Sequence, residues 1–167
     1  SKIQVGPTDR GSGGTMGAVI SPAHRDRVGQ LLESGVRDGA ELLIDGRGVD
    51  VPEEPNGFYM GPSILDRVES EMEIAREEVF GPVLNIMRFD DLEAAIELAN
   101  NTPFGNGACI YTQSGSAARE FKHRIKAGMV GINVGVPAPL AYFPFSGWDY
   151  SFFGCLLYTS PSPRDDR

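Results

Sequence analysis

Between Ser21 and Asn133, stretches of helical period alternate with short apolar runs. A chain patterned this way buries one stripe of each helix against a sheet, which is the arrangement of an α/β layer structure and not of a bundle or a sandwich. Ser21-Pro22 supplies a cap followed by a proline suited to the first helical position, and Val28, Leu31, Leu32 and Val36 then share one face. That helix is expected to stop near Gly39. Ala40–Asp45 and Gly57–Leu65, the latter broken by Pro62, read as strands or extended edges, and Glu71–Glu78 as a charged helical turn. Val83–Phe89 reads as a core strand. Asp90 with Glu93 three residues on suggests a capping box for a helix whose apolar face is Leu92, Ala95, Ile96 and Ala99. Ala108–Tyr111 is a predicted strand, Ser116–Ala127 a predicted helix with Phe121 and Ile125 inward, and Met129–Asn133 a predicted strand after Gly128. The order strand, helix, strand, helix, strand from Val83 onward predicts parallel pairing by right-handed crossovers.

Composition excludes several functions. The 167 residues carry 15 basic and 23 acidic side chains, a net charge of -8, with no basic cluster to bind a phosphate backbone, so nucleic acid is not an expected partner. The uncharged stretch Val134–Trp148 contains three prolines and falls short of the roughly 20 apolar residues that span a bilayer. Cys109 and Cys155 lack the spacing of a disulfide framework or a zinc site, and a reducing, cytoplasmic setting is the default expectation.

Both ends are unusual. The chain begins Ser1-Lys2-Ile3 without methionine or the layout of a signal peptide, and an upstream stretch is expected. Residues Cys155–Asp165 resemble the in-frame translation of a transposon-type sequencing adapter, so 155–167 are expected to be a non-native tail and 1–154 the native part. Removing the tail takes two charges of each sign and leaves the net charge at -8.

Candidate sites differ in weight. The glycine run Gly11–Gly17 matches neither a dinucleotide fingerprint nor a P-loop and reads as a flexible entry loop. His24 and His123 have no ligand partner at metal spacing and read as solvated or satisfied histidines. Cys109, mid-strand, reads as a small hydrophobe. The informative segment is Arg76-Glu77-Glu78-Val79-Phe80-Gly81-Pro82-Val83. On an extended backbone Glu78 and Phe80 would point to one side, where a carboxylate could hold ribose hydroxyls and a ring could press on a flat heterocycle. A carboxylate at a helix end with a phenylalanine in the core fits the same spacing.

The chain resembles the C-terminal part of an aldehyde dehydrogenase over residues 1 to about 154. The likeness is carried by EEVFGP (77–82), NNTPFGNGACIYT (100–112), AGMVGIN (127–133) and PFSGW (144–148). Within the superfamily, the run Gly131–Ala141 followed by FPFSGW is most similar to the CoA-acylating methylmalonate-semialdehyde dehydrogenase branch. The resemblance implies a truncated three-layer α/β catalytic domain with a mostly parallel sheet, NAD as cofactor and CoA as co-substrate. It matches Glu78 to the glutamate that binds the nicotinamide ribose and Phe80 to the phenylalanine beside the nicotinamide ring. Pro144-Phe145 matches the loop lining the substrate tunnel. Asn133 matches the asparagine that ends the last catalytic-domain strand, where a turn-forming role and a direct substrate role both remain open.

The same resemblance places the catalytic cysteine, the oxyanion-hole asparagine and the adenosine-binding loop upstream, so the chain alone is expected to be inactive. In the implied parent, a thiolate attacks methylmalonate or malonate semialdehyde, NAD takes the hydride, and the thioester passes to CoA with decarboxylation to propionyl-CoA or acetyl-CoA. The parent is expected to be a homo-oligomer, dimer or tetramer. A non-acylating aldehyde dehydrogenase, a catalytically dead interaction or oligomerisation module, and a generic nucleotide-binding α/β protein are the competing readings.

Overall fold

A computed structural model describes residues 3–9, 14–138 and 145–151. The adapter-like tail with Cys155, the glycines at 11–13 and Pro144 lie outside the described residues. The chain divides into two compact units, Ser1–Arg88 and Phe89–Arg167. Among the described residues no helix is long and apolar enough to cross a membrane.

In the first unit, α1 (Pro22–Arg37) starts where the sequence predicts, because the Ser21 side chain accepts the His24 N–H at 3.1 Å and Pro22 has no N–H to satisfy. Its buried row is Val28, Leu31, Leu32 and Gly35. Val36, predicted to face inward, is instead exposed, because the stripe turns through Gly35. A methyl at Gly35 would lie 3.0 Å from Ile74 and 3.1 Å from Leu65, so the missing side chain lets the helix close on the layer beneath it. That layer is β1 (Glu41–Ile44), β2 (Ser63–Asp66) and β3 (Val83–Asn85), in the order β1-β2-β3, with the short α2 (Glu73–Arg76) between β2 and β3. Leu32, Met60, Leu65 and Ile74 form the driest part of this core. Each such side chain contributes about 1.5–3 kcal/mol by leaving water.

The pairing is mixed. β2 and β3 run parallel, whereas β1 and β2 are antiparallel, with a register shift between Leu42 and Ile44. The predicted strand Gly57–Leu65 shrinks to its last three residues, joined by Asp66: Pro62 has no N–H for a ladder, and Gly61 instead donates to the Gly46 carbonyl at 2.8 Å.

In the second unit, α3 (Leu92–Asn100) is capped by Asp91, whose carboxylate accepts the Ala94 N–H at 2.8 Å. Asp90 is therefore not the cap, and Glu93 pairs with Arg124 at 3.2 Å without forming a capping box. After β4 (Phe104–Gly105) and β5 (Gly107–Ile110), α4 (Gly115–Arg124) crosses over to β6 (Met129–Ile132), which lies parallel to β5 in register Cys109↔Gly131. This is the predicted strand–helix–strand crossover. β3 does not extend the series: its partner is β2. α4 ends three residues earlier than predicted because the Asn100 carboxamide closes it, donating to the Arg124 carbonyl at 2.8 Å and accepting the Lys126 N–H at 2.7 Å. β7 (Trp148–Asp149) pairs antiparallel with β4. Ile96, Phe121 and Ile125 form this unit's core, packed by Ala108, Ile110 and Val130.

A buried carboxylate ties the first sheet to its own exit. Asp66 receives the Arg88 guanidinium through two hydrogen bonds and the Arg67 N–H at 2.8 Å, and these hold its carboxyl below the usual carboxylate range. A depressed folded pKa stabilises the fold above the unfolded value of about 3.9, and that contribution is lost as pH falls through the folded value. Asp66→Asn should therefore destabilise the chain at pH 7 and much less at pH 2–3, as read from urea midpoints at both pH values. An equal loss at both would contradict this charge linkage.

Candidate functional site

The segment Glu77–Pro82 leaves α2 in extended conformation, with Glu77 at φ -92° and ψ 138°. One face of α1 receives it. Arg27 donates to the Glu78 carbonyl at 3.2 Å and to the Val79 carbonyl at 3.1 Å, and its guanidinium lies 3.5 Å from the Glu77 carboxylate. His24 Nε2 lies 2.8 Å from the Phe80 carbonyl oxygen, to which it donates as the Nε2–H tautomer. Val28 packs beneath Gly81, where a methyl would stand 2.8 Å from the valine Cγ2. Residues 24, 27 and 28 share a helix face by their spacing.

Phe80 takes φ +56°, a left-handed conformation that costs a bulky residue about 1–2 kcal/mol. Its ring is 79% exposed. Within this chain Phe80 is therefore not a core residue, and its side chain gains little burial to offset the backbone cost. The extended geometry expected for Glu78 and Phe80 also breaks at residue 80. What the structure brings together is a strained loop, pinned by its carbonyls, that presents both side chains to solvent. Among the described residues the Glu78 carboxylate makes no hydrogen bond or ion pair; only its carbonyl is engaged. Backbone strain held in place by surrounding structure clusters at active sites and ligand contacts.

His24 is the residue that sequence reasoning undervalued. It is satisfied, as one expectation allowed, but by the loop of interest 56 residues away. The usable signal was its place one turn before Val28, beside the buried stripe.

In the second unit, Asn133 also has a positive φ, +56°. Its N–H continues the β5–β6 ladder to the Ile110 carbonyl at 2.8 Å, and its carboxamide clasps Thr112, accepting the N–H at 2.9 Å and donating to the carbonyl at 3.0 Å. This is the geometry of the turn-forming role. Phe145 is 54% exposed, and its neighbour Ser146 donates to the Gly128 carbonyl at 3.1 Å. A methyl at Gly128 would stand 1.9 Å from the Ser146 carbonyl, so that glycine permits close approach as well as following a helix. The Cys109 thiol donates to the Gly135 carbonyl at 3.5 Å, in keeping with a structural residue. Among the described residues no cluster of His, Cys, Asp and Glu could hold a metal ion.

Residues 1–160 match the aldehyde dehydrogenase family. Malonate-semialdehyde dehydrogenase 2 of Geobacillus kaustophilus is 51% identical over 141 residues, covering 84% of this chain and 29% of that protein. The crystal structure of methylmalonate-semialdehyde dehydrogenase from Oceanimonas doudoroffii superposes with a TM-score of 0.87 at 42% identity, over 92% of this chain and 31% of that one. A structure from Sinorhizobium meliloti 1021 complexed with NAD gives the same TM-score at 41% identity, over 91% and 31%. The chain thus spans about a third of the length of the relatives it matches.

The Asn133 clasp has a measurable consequence. Asn133→Ala loses the clasp and strains a positive φ, and should cost about 2–4 kcal/mol. Asn133→Gly keeps the φ and should cost about 1 kcal/mol less than the alanine variant. Denaturant titration of the three chains checks the order, and equal stability of alanine and glycine variants would contradict it.

Proposed function

This chain belongs to the aldehyde dehydrogenase family, and from that premise we propose that it forms the nicotinamide-facing part of an NAD-dependent oxidoreductase acting on methylmalonate or malonate semialdehyde. The observation that carries the reading is the Glu78–Phe80 loop: a carboxylate without a partner among the described residues and a bare aromatic ring, on a backbone pinned by three carbonyls. These residues fit the ribose and ring of a nicotinamide nucleotide. A carboxylate can accept two vicinal hydroxyls in charge-assisted hydrogen bonds, and a flat ring can limit how far a heterocycle swings. When bound, NAD supplies the hydride acceptor.

The chain's own residues have positioning tasks in this reading. Glu78 fixes the ribose and so the direction in which the ring is presented; Phe80 borders the space that ring can sweep. Phe145 lines the substrate pocket, and Asn133 serves it indirectly by holding the turn after β6. The family resemblance supports a nucleophilic thiolate supplied by another part of the longer protein, and the Cys109 thiol donates to the Gly135 carbonyl at 3.5 Å. The motif resemblance to the CoA-acylating branch supports CoA as the acyl acceptor and a homo-oligomeric parent.

Glu78→Gln in the complete enzyme keeps the shape and removes the charge. Losing charged hydrogen bonds worth about 1.5–3 kcal/mol should lower turnover with NAD about ten- to a hundredfold at unchanged thermal stability. Wild-type kinetics in that variant would contradict the assignment. Separately, product analysis with and without CoA should show thioester only when CoA is present; free acid formed at the same rate in both would replace the acylating reading with the non-acylating one.

A further inference from the structure

Glu78 and Phe80 are joined by two peptides, 78–79 and 79–80, and the orientation of those planes sets the angle between the side chains that leave the two Cα atoms. Among the described residues the N–H groups of Val79 and Phe80 donate to no partner, so each plane is tied through its carbonyl alone. Both carbonyls go to one side chain. Arg27 Nη1 donates to the Glu78 carbonyl at 3.2 Å and to the Val79 carbonyl at 3.1 Å, and Nη2 adds a second bond to Glu78 at 3.2 Å. Successive carbonyls of an extended strand face opposite sides, so the loop has to leave that geometry for one guanidinium to reach both. The next plane, 80–81, is held separately, by His24.

We infer that Arg27 is a positioning residue: its guanidinium fixes the two peptide planes between Glu78 and Phe80 and so sets how the carboxylate and the ring are presented relative to each other. The geometry stands by itself; the consequence for turnover rests on the nicotinamide reading above. A guanidinium suits the task because its N–H groups form a rigid, planar fork, able to serve two carbonyls and, through the 3.5 Å approach to Glu77, a carboxylate at once. The head of Arg27 is partly exposed beside the buried stripe of α1, so exchanging it for a methionine leaves Val28, Leu31 and Leu32 packed.

The test has two arms. In the isotopically labelled chain, the amide order parameters of Val79 and Phe80 report the two planes, and that of Gly81 reports the plane held by His24. Arg27→Met keeps the stem and removes every donor; it should lower the order parameters at Val79 and Phe80 from about 0.85 to about 0.6 and leave Gly81 and α1 unchanged. Arg27→Lys keeps a donor and should recover most of the loss. Glu77→Gln removes the ion pair but not the carbonyl bonds and should keep wild-type order. Unchanged order at both amides in Arg27→Met would overturn the inference, and so would an equal loss in Glu77→Gln, because the ion pair would then carry the hold. In the complete enzyme carrying this segment, Arg27→Met should lower kcat about tenfold at an unchanged thermal midpoint, with KM for NAD shifted about threefold or less, and Arg27→Lys should restore most of the rate. Slow turnover in Glu78→Gln with wild-type turnover in Arg27→Met overturns the positioning role alone. Wild-type turnover in both overturns the nicotinamide reading, and the order parameters still decide the geometry.

Discussion

The seating of α1 on Leu65 and Ile74 is what the candidate site depends on. Val28, Leu31, Leu32 and Gly35 form the buried row, and Gly35 lets the helix come close enough to lock its rotation about its own axis. Once that rotation is fixed, the adjacent row of His24 and Arg27 points at the loop after α2. Burial of several apolar side chains at about 1.5–3 kcal/mol each outweighs hydrogen bonds of about 1 kcal/mol net. The core therefore decides where the donors stand, and the donors add only the last detail, the seating of the Glu78, Val79 and Phe80 carbonyls.

The second unit follows a similar division. Ile96, Phe121 and Ile125 set the helices against the β5–β6 ribbon, while single carboxamides finish the backbone: Asn100 closes α4 and Asn133 clasps Thr112. Both side chains use an acceptor and a donor at once, which is why an amide rather than an acid serves at each place. The turn after β6 is thus held by polar contacts that do not depend on the exposed side chains that follow it, Val134 and Val136.

Much of this was legible in the sequence, for reasons that are local. Ser21-Pro22 announces α1, the Leu92–Ala99 period announces α3, and the β5–α4–β6 crossover follows from apolar runs on either side of an amphipathic stretch. The Glu78–Phe80 pair was also found, though not its shape. Nothing within a few residues of Phe80 signals a positive φ, and the carbonyls of this loop are held from α1 by His24 and Arg27, 56, 52 and 51 positions earlier. Gly81 and Gly128 read as turn residues, yet each is also required by a distant neighbour, Val28 and Ser146 respectively. The antiparallel β1–β2 pairing and the inward turn at Gly35 instead of Val36 were missed for the same reason: periodicity names a face but not the residue that makes closest approach.

The central claim is that a strained, exposed loop held by α1 grips the nicotinamide end of NAD. Its most direct test is a structure of the complete enzyme with NAD bound. The account predicts the Glu78 carboxylate within about 2.6–3.2 Å of the nicotinamide ribose hydroxyls, with the Phe80 ring beside the nicotinamide. NAD bound in full with Glu78 and Phe80 both facing solvent would contradict it.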